Sequence, residues 1–144
     1  MDLYGPMRVA SLGAKKYVLV IVDDFCRYTW VKFLKTKDET PSEIILFIRT
    51  IQVRLQLSVQ SVRIDNGTEF KNLTLSSFYD SWGISKTFSA TRTPKQNGVV
   101  ERRNRTLVEA ARSMLAQNSL PQFLLAEVVN TMLYSKQVYH LLSF

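Results

Sequence analysis

The hydrophobic pattern of the chain opens with a short segment followed by a hairpin. Residues 1–4 precede a turn signal at Gly5-Pro6. Tyr17–Val22 reads YVLVIV between two charged residues, and such a continuous β-branched run is typical of a strand buried on both faces. Residues 28–34 are aromatic and β-branched, which predicts the partner strand of a hairpin.

The rest of the pattern alternates between helix and strand. Thr40-Pro41 begins a helix whose apolar residues keep helical spacing to about residue 57, because proline is favoured at the first helical position. Strands followed by alternation predict an α/β fold, a mixed sheet with helices on its faces, in one domain over residues 1–144. The later predicted elements are strands at 59–64 and 84–88, helices at 75–82, at 99–117 and from about 121, and a polar loop at 89–98.

Composition excludes several classes of protein. The 144 residues are 46% hydrophobic and 22% charged, as in ordinary globular domains. A single cysteine, Cys26, excludes a disulfide-built scaffold, and a single histidine, His140, excludes a zinc cluster of cysteines and histidines. No apolar run approaches the roughly 20 residues of a membrane span, and no signal peptide opens the chain. We therefore expect a soluble, intracellular domain without a membrane partner.

Positive charge is concentrated in one stretch of the chain. Nineteen Lys and Arg residues against 12 Asp and Glu residues give a net charge of +7 and a pI near 9.7. Residues 86–112 hold seven of the basic residues and only two acidic ones. The stretch is either a solvated helix face or a surface for an acidic partner such as nucleic acid.

Several carboxylates lie at positions that the predicted fold could bring together at one edge of its sheet. Asp65 follows a predicted buried strand, and Glu101 lies in the first turn of the long helix, with 35 residues between them. The spacing leaves the third carboxylate open between Asp2 and the pair Asp23 and Asp24. Clustered carboxylates are the hard ligands that Mg²⁺ prefers, and two such ions support phosphoryl transfer. Taken singly, Asp65 could be a turn residue and Glu101 a helix-start residue.

Two longer motifs carry a resemblance to a known family. Residues 65–70 read DNGTEF and residues 93–105 read TPKQNGVVERRNR. At this separation they resemble the D,D-35-E signature of retroviral-type integrase catalytic cores. Two further segments, DLYGP at residues 2–6 and YVLVIVDDF at residues 17–25, resemble the plant-like Ty1/copia class of retrotransposon Pol polyproteins. The resemblance implies a ribonuclease-H-like fold with a five-stranded mixed sheet flanked by helices. It also implies that Asp2 is the first carboxylate, within a chain truncated at its N-terminus, and that Asp23 and Asp24 serve the hairpin turn.

The resemblance further implies a site and an activity. Asp2, Asp65 and Glu101 are expected to hold two Mg²⁺ (or Mn²⁺) ions and to catalyse DNA 3′-end processing and strand transfer. The alternatives are a catalytically lapsed DNA-binding remnant and a ribonuclease-H-like nuclease. The expected partners are retroelement and target DNA, with a second copy of the chain, and the expected location is the nucleus. The residues expected to contact DNA are Arg92, Lys95, Gln96, Asn97, Arg102, Arg103, Asn104 and Arg105.

Overall fold

The computed structural model describes residues 1–11, 13–88 and 94–142, and it describes the backbone without the side chains at 94–101, 103, 104 and 135–142. Its helices and strands follow the predicted order. In chain order they are β1 (Asp2–Tyr4), β2 (Tyr17–Val22), β3 (Thr29–Leu34), α1 (Thr40–Leu55), β4 (Ser61–Ile64), α2 (Leu73–Ser81), β5 (Ser85–Phe88), α3 (Pro94–Gln117) and α4 (Leu125–Leu142).

The strands form two sheets in the described part of the chain, so the prediction of one five-stranded mixed sheet is wrong in this respect. β1, β2 and β3 make an antiparallel sheet, and β4 and β5 make a separate parallel pair. All three residues of β1 pair with β2. The link from β1 to β4 is a bond from the Met1 amino group to the Arg63 carbonyl, at 2.7 Å. A single bond of this kind does not make a ladder.

Strand β2 is the centre of the packing, as its apolar sequence predicts. Leu19 and Ile21 face a cluster formed with α1, α2 and β4. Val18 and Val20 face the opposite cluster, formed with α3 and α4. Because successive side chains of a strand point to opposite faces, one apolar strand serves both layers. The α/β class and the helices on both faces are confirmed.

Helix boundaries differ from the prediction where capping was not read from the sequence. α2 begins two residues earlier than predicted because the Asn72 side chain accepts a hydrogen bond from the Thr74 amide, at 2.8 Å. α3 begins at Pro94, so the predicted loop is wrong over residues 94–98, while residues 89–93 lie outside the described part. Proline is preorganised for the first helical position, and the polar residues after it continue the helix.

Two buried hydroxyl groups have no hydrogen-bond partner among the described residues, those of Thr40 and Tyr79. Tyr79 is only 1% exposed, and burial raises the pKa of its hydroxyl well above the usual value. A buried polar group without a partner carries an uncompensated desolvation cost.

Replacing Tyr79 by phenylalanine should therefore raise the free energy of unfolding by about 1 kcal/mol, measured by urea denaturation at pH 7. The raised pKa favours the protonated hydroxyl in the folded state. The wild-type chain should thus lose stability above about pH 10, where the unfolded tyrosine ionises, by more than Tyr79→Phe does. Tyr134→Phe is the matched control, because Tyr134 is 70% exposed, and it should change neither quantity. Lower stability of Tyr79→Phe would contradict the argument.

Among the described helices, none has both the length and the apolar character needed to cross a membrane.

Candidate active site

Asp2 is held on the face of the antiparallel sheet that α3 covers. It lies directly opposite Val20 in the β1–β2 register, and cross-strand partners point to the same face. Val20 packs in the cluster that contains Val108 and Ala111 of α3, and α3 contacts β1 and β2. The Asp2 side chain is half-buried. The first predicted carboxylate thus lies beneath α3.

Asp65 follows directly after β4, as the strand pattern predicts. Its Oδ1 accepts a hydrogen bond from the amide of the next residue, Asn66, at 2.6 Å. Phe70, 2% exposed, anchors the segment after Asp65 in the core shared by α1 and α2. Gly67 leaves room for the carboxyl group of Glu69, because a Cβ there would lie 2.6 Å from Glu69 Oε1. The segment after Asp65 is therefore held by the buried Phe70 ring and by the close approach of Glu69 to Gly67.

The Met1 amino group has the carboxylates of Asp2, Asp24 and Asp65 in its neighbourhood. The Met1 amino group donates to the Arg63 carbonyl, which places the residue before Asp2 beside β4. Burial lowers the pKa of this amino group, and the neighbouring carboxylates of Asp2, Asp24 and Asp65 partly offset that effect by raising it. The end of β1 and the end of β4 thus form one acidic edge. Its oxygens are hard donors of the kind that Mg²⁺ prefers.

Glu101 lies on the helix that covers this edge, but its side chain is outside the described part of the chain. Position 101 is seven residues, or about two turns, before Val108. It therefore shares the helix face through which Val108 packs on the sheet. Among the described side chains, no group of three His, Cys, Asp or Glu residues is placed to hold a metal ion.

The structure describes the side chains of only two of the residues predicted to contact DNA. Arg102 and Arg105 are exposed on α3. Arg92 lies outside the described residues, and the side chains of Lys95, Gln96, Asn97, Arg103 and Asn104 lie outside them as well. The prediction for these six residues stays a prediction.

Asp23 serves the β2–β3 turn, as predicted. Its carboxylate accepts hydrogen bonds from the Cys26 thiol, at 2.8 Å, and from the Phe25 amide, at 3.1 Å. These bonds lower the pKa of Asp23, with the thiol bond as the larger cause. The Arg27 amide also donates to the Asp23 carbonyl, at 2.9 Å. The Asp23 side chain is thus committed to the turn.

Sequence reasoning missed the part played by Arg63. Its carbonyl accepts the Met1 amino group, and its guanidinium lies 3.4 Å from the Asp24 carboxylate. Arg63 thereby connects β4 both to β1 and to the hairpin turn. The alternation of β4, in which Val62 and Ile64 are buried and Arg63 is exposed, was the available signal.

The chain is similar to integrase core domains and to retrotransposon polyproteins. The sequence model of a family described as "Integrase core domain" matches residues 1–94. The chain is 37% identical over 133 residues to the Retrovirus-related Pol polyprotein from transposon TNT 1-94 of Nicotiana tabacum, covering 92% of this chain and 10% of that protein. It is 30% identical over 128 residues to the Transposon Ty1-DR6 Gag-Pol polyprotein of Saccharomyces cerevisiae, covering 85% of this chain and 7% of that protein. The chain therefore spans a tenth or less of these relatives.

Solved structures share the fold. A chain of the simian T-cell lymphotropic virus intasome, in complex with the PP2A regulatory subunit B56 gamma, matches with a TM-score of 0.63 at 23% identity over 83% of this chain and 41% of that chain. The HTLV-2 integrase catalytic core domain, in complex with magnesium and in a trimeric form, matches with a TM-score of 0.58 at 23% identity over 83% of this chain and 72% of that chain. Both likenesses identify the ribonuclease-H-like fold.

Proposed function

Because the chain belongs to the integrase core domain family, among Ty1/copia-type retrotransposon Pol polyproteins, we propose that residues 1–144 form one catalytic core domain for DNA integration. The observation that carries the proposal is the acidic edge, at which Asp2 and Asp65 both lie near the Met1 amino group. Chromosomal DNA as the target would place this activity in the nucleus.

The carboxylates of Asp2, Asp65 and Glu101 are the residues that would hold Mg²⁺ or Mn²⁺, with two ions as the proposed number. The carboxylate oxygens fit such ions, and the HTLV-2 integrase core was solved in complex with magnesium. When bound, a pair of divalent ions activates the attacking oxygen and stabilises the leaving oxygen of an in-line displacement.

The proposed reaction has two displacement steps at phosphorus. Water attacks a phosphodiester near a DNA 3′ end, and the bond from phosphorus to the 3′ oxygen of the retained strand breaks. The retained strand keeps a 3′ hydroxyl, and the released nucleotides carry the phosphate at their 5′ end. That hydroxyl then attacks a phosphodiester of the target DNA, and a target 3′ oxygen leaves as the new bond forms. Neither step forms a covalent bond to the protein, so the three carboxylates suffice without a Ser, Cys or Tyr nucleophile.

Arg102 and Arg105 are proposed to hold DNA phosphates beside the acidic edge. Both are exposed on α3, the helix that carries Glu101. A planar guanidinium suits bidentate phosphate contact, and such contacts are independent of base sequence.

Replacing Arg102 or Arg105 by alanine should weaken DNA binding and reduce the slope of log K against log salt by about 1 for each. Fluorescence anisotropy with a labelled DNA duplex measures this slope. The salt concentration is varied over roughly 50–200 mM, the range in which phosphate contacts make the affinity fall steeply. Arg54→Ala is the matched control, because Arg54 is exposed on α1, on the opposite side of the sheet. Equal slopes for Arg105→Ala and the control would remove Arg105 from the interface.

A homo-oligomer is proposed as the working form. The HTLV-2 integrase core was solved in a trimeric form. On this chain, large apolar side chains remain exposed along α3 and α4 and in the connection between them, namely Met114, Leu120, Phe123 and Tyr134. Exposed apolar groups on adjoining elements are typical of interaction surfaces.

The experiment that tests the proposed function is metal-dependent joining and cleavage of a branched DNA that mimics the integration product. Joining that requires Mg²⁺ or Mn²⁺ supports the transferase. Cleavage without joining favours a nuclease of the same fold. DNA binding without either reaction identifies a catalytically lapsed remnant of the same fold.

A further inference from the structure

Four basic residues lie together at one end of the antiparallel sheet, the end towards which β1 runs. Arg8, Lys15 and Lys16 belong to the connection between β1 and β2, and Lys35 directly follows β3. Residues 3–22 contain no Asp or Glu. These four residues are called the basic end below.

Backbone hydrogen bonds hold the connection between β1 and β2 in shape. The Met7 amide donates to the Lys16 carbonyl at 2.8 Å. Because the two segments run antiparallel from this bond, Arg8 lies beside Lys15. The Ser11 amide donates to the Lys15 carbonyl at 3.0 Å and closes the connection. The cations of the connection are therefore held next to one another by the backbone.

Met7 anchors the connection in the layer beneath α3. Its side chain is 4% exposed and packs in the cluster that contains Val20 of β2 and Val108 of α3. The same helix carries Arg102 and Arg105, which are proposed to hold DNA phosphates. The basic end and these two arginines thus border one packed layer.

Lys16 brings the connection next to the end of β3. Its amide donates to the Leu34 carbonyl at 2.9 Å, and Lys35 is the next residue of that segment. Lys35 therefore extends the positive charge of the connection across the end of the sheet.

The protein itself does not neutralise this charge. Three side chains of the basic end are exposed, and that of Lys15 is half-buried. The ion pairs among the described residues involve other basic side chains. The carboxylates that follow Lys35 along the chain are those of Asp38 and Glu39, which leave four cations against two anions. Like charges on neighbouring strands repel one another, and a polyanion relieves this repulsion.

The distance from the acidic edge to the basic end matches a short run of DNA phosphates. Asp2 pairs with Val20, and Lys16 precedes Val20 by four residues, which corresponds to about 13 Å along β2. One strand of a DNA duplex advances about 3.4 Å along its axis for each phosphate. DNA that has one phosphate at the acidic edge therefore has another, about four nucleotides away, at the level of the basic end.

We propose that the basic end is a second phosphate-binding surface, which holds the DNA backbone about four nucleotides from the phosphate at the acidic edge. This inference rests on the proposed function, because it states where the DNA continues beyond the site. The DNA backbone suits this surface because it offers a regular row of negative charges to cations on neighbouring strands. Such contacts fix the position of the DNA and do not depend on its base sequence.

The test combines Lys15→Gln with Lys16→Gln in the full 144-residue chain, which removes two positive charges. The slope of log K against log salt for a labelled DNA duplex should fall by about 2, one for each lost phosphate contact. Lys15→Arg with Lys16→Arg keeps both charges and should keep the wild-type slope. The matched control combines Arg27→Gln with Arg54→Gln and should also keep it. Both control residues are exposed, at the hairpin turn on the other end of the sheet and on α1.

Neutral methylphosphonates, placed one at a time in the branched DNA that mimics the integration product, locate the contact. A methylphosphonate about four nucleotides from the branch should weaken binding to the wild-type chain. It should have no effect on binding to the chain with glutamine at positions 15 and 16, because that chain has already lost the contact.

A wild-type slope for this double glutamine variant, with a lower slope for Arg105→Ala, would overturn the inference and leave the proposed function standing. Equal falls in slope for the double glutamine variant and its matched control would assign the effect to net charge, which also overturns the inference. Absence of DNA binding by the wild-type chain would overturn both. A fall in slope confined to the double glutamine variant, coupled to one phosphate away from the branch, supports the inference.

Discussion

Replacing Glu101 by glutamine should reduce metal-dependent joining of branched DNA by at least 100-fold while the chain stays folded. The amide keeps the length of the side chain and nearly the same helix propensity, so α3 should be unaffected. It removes the negative charge with which a carboxylate binds a divalent ion. Loss of the charge stabilisation that the ions provide is worth several kcal/mol, and each 1.36 kcal/mol is a factor of ten in rate.

The matched control for this prediction lies on the same helix. Glu109 is exposed on α3, and Glu109→Gln removes one negative charge from the same basic stretch. We expect its joining rate to stay within about twofold of the wild type, since surface substitutions away from a site have small effects. DNA affinity should be retained in both variants, because each loses a charge that repels phosphate. A Glu101→Gln chain that binds DNA and joins at the wild-type rate would remove Glu101 from the mechanism.

The local sequence predicted the acidic edge better than it predicted the sheet. Asp65 follows an apolar strand at the start of the sequence Asp-Asn-Gly, and in the structure it lies directly after β4, where the chain bends at Asn66. Such features depend on neighbouring residues and can be recognised from the sequence. The bond from the Met1 amino group to the Arg63 carbonyl joins residues 62 positions apart, and no local pattern encodes whether β1 and β4 form a ladder or are linked by a single bond.

Capping and long-range contacts account for the remaining differences. Asn72 begins α2 through a side-chain bond, although the apolar pattern starts at Leu75. Pro94 begins α3 within a stretch whose polar residues favoured a loop. Arg63 joins Met1 to the Asp24 turn only because three separate segments meet there. Its importance follows from the fold and could not be assigned before it.

The stability of the Asp65 turn should depend on Phe70, the last residue of the DNGTEF motif. Phe70 is 2% exposed and packs in the cluster formed by α1, α2 and β4. Its amide also donates to the Gly67 carbonyl at 3.1 Å, which ties the buried ring to the turn that follows Asp65. The motif thus joins a catalytic candidate and a core anchor within six residues.

Replacing Phe70 by alanine should lower the free energy of unfolding by about 3–5 kcal/mol, because the lost ring leaves a cavity in a close-packed core. Urea denaturation of the 144-residue chain measures the change, with the m-value checked for two-state behaviour. Phe25→Ala is the matched control, since Phe25 is 95% exposed at the hairpin turn and its loss should shift the free energy by less than about 0.5 kcal/mol. Equal effects of the two substitutions would mean that the ring of Phe70 does not anchor the core. A large effect at Phe70 alone would establish that the segment behind Asp65 is held by the same packing that holds the domain.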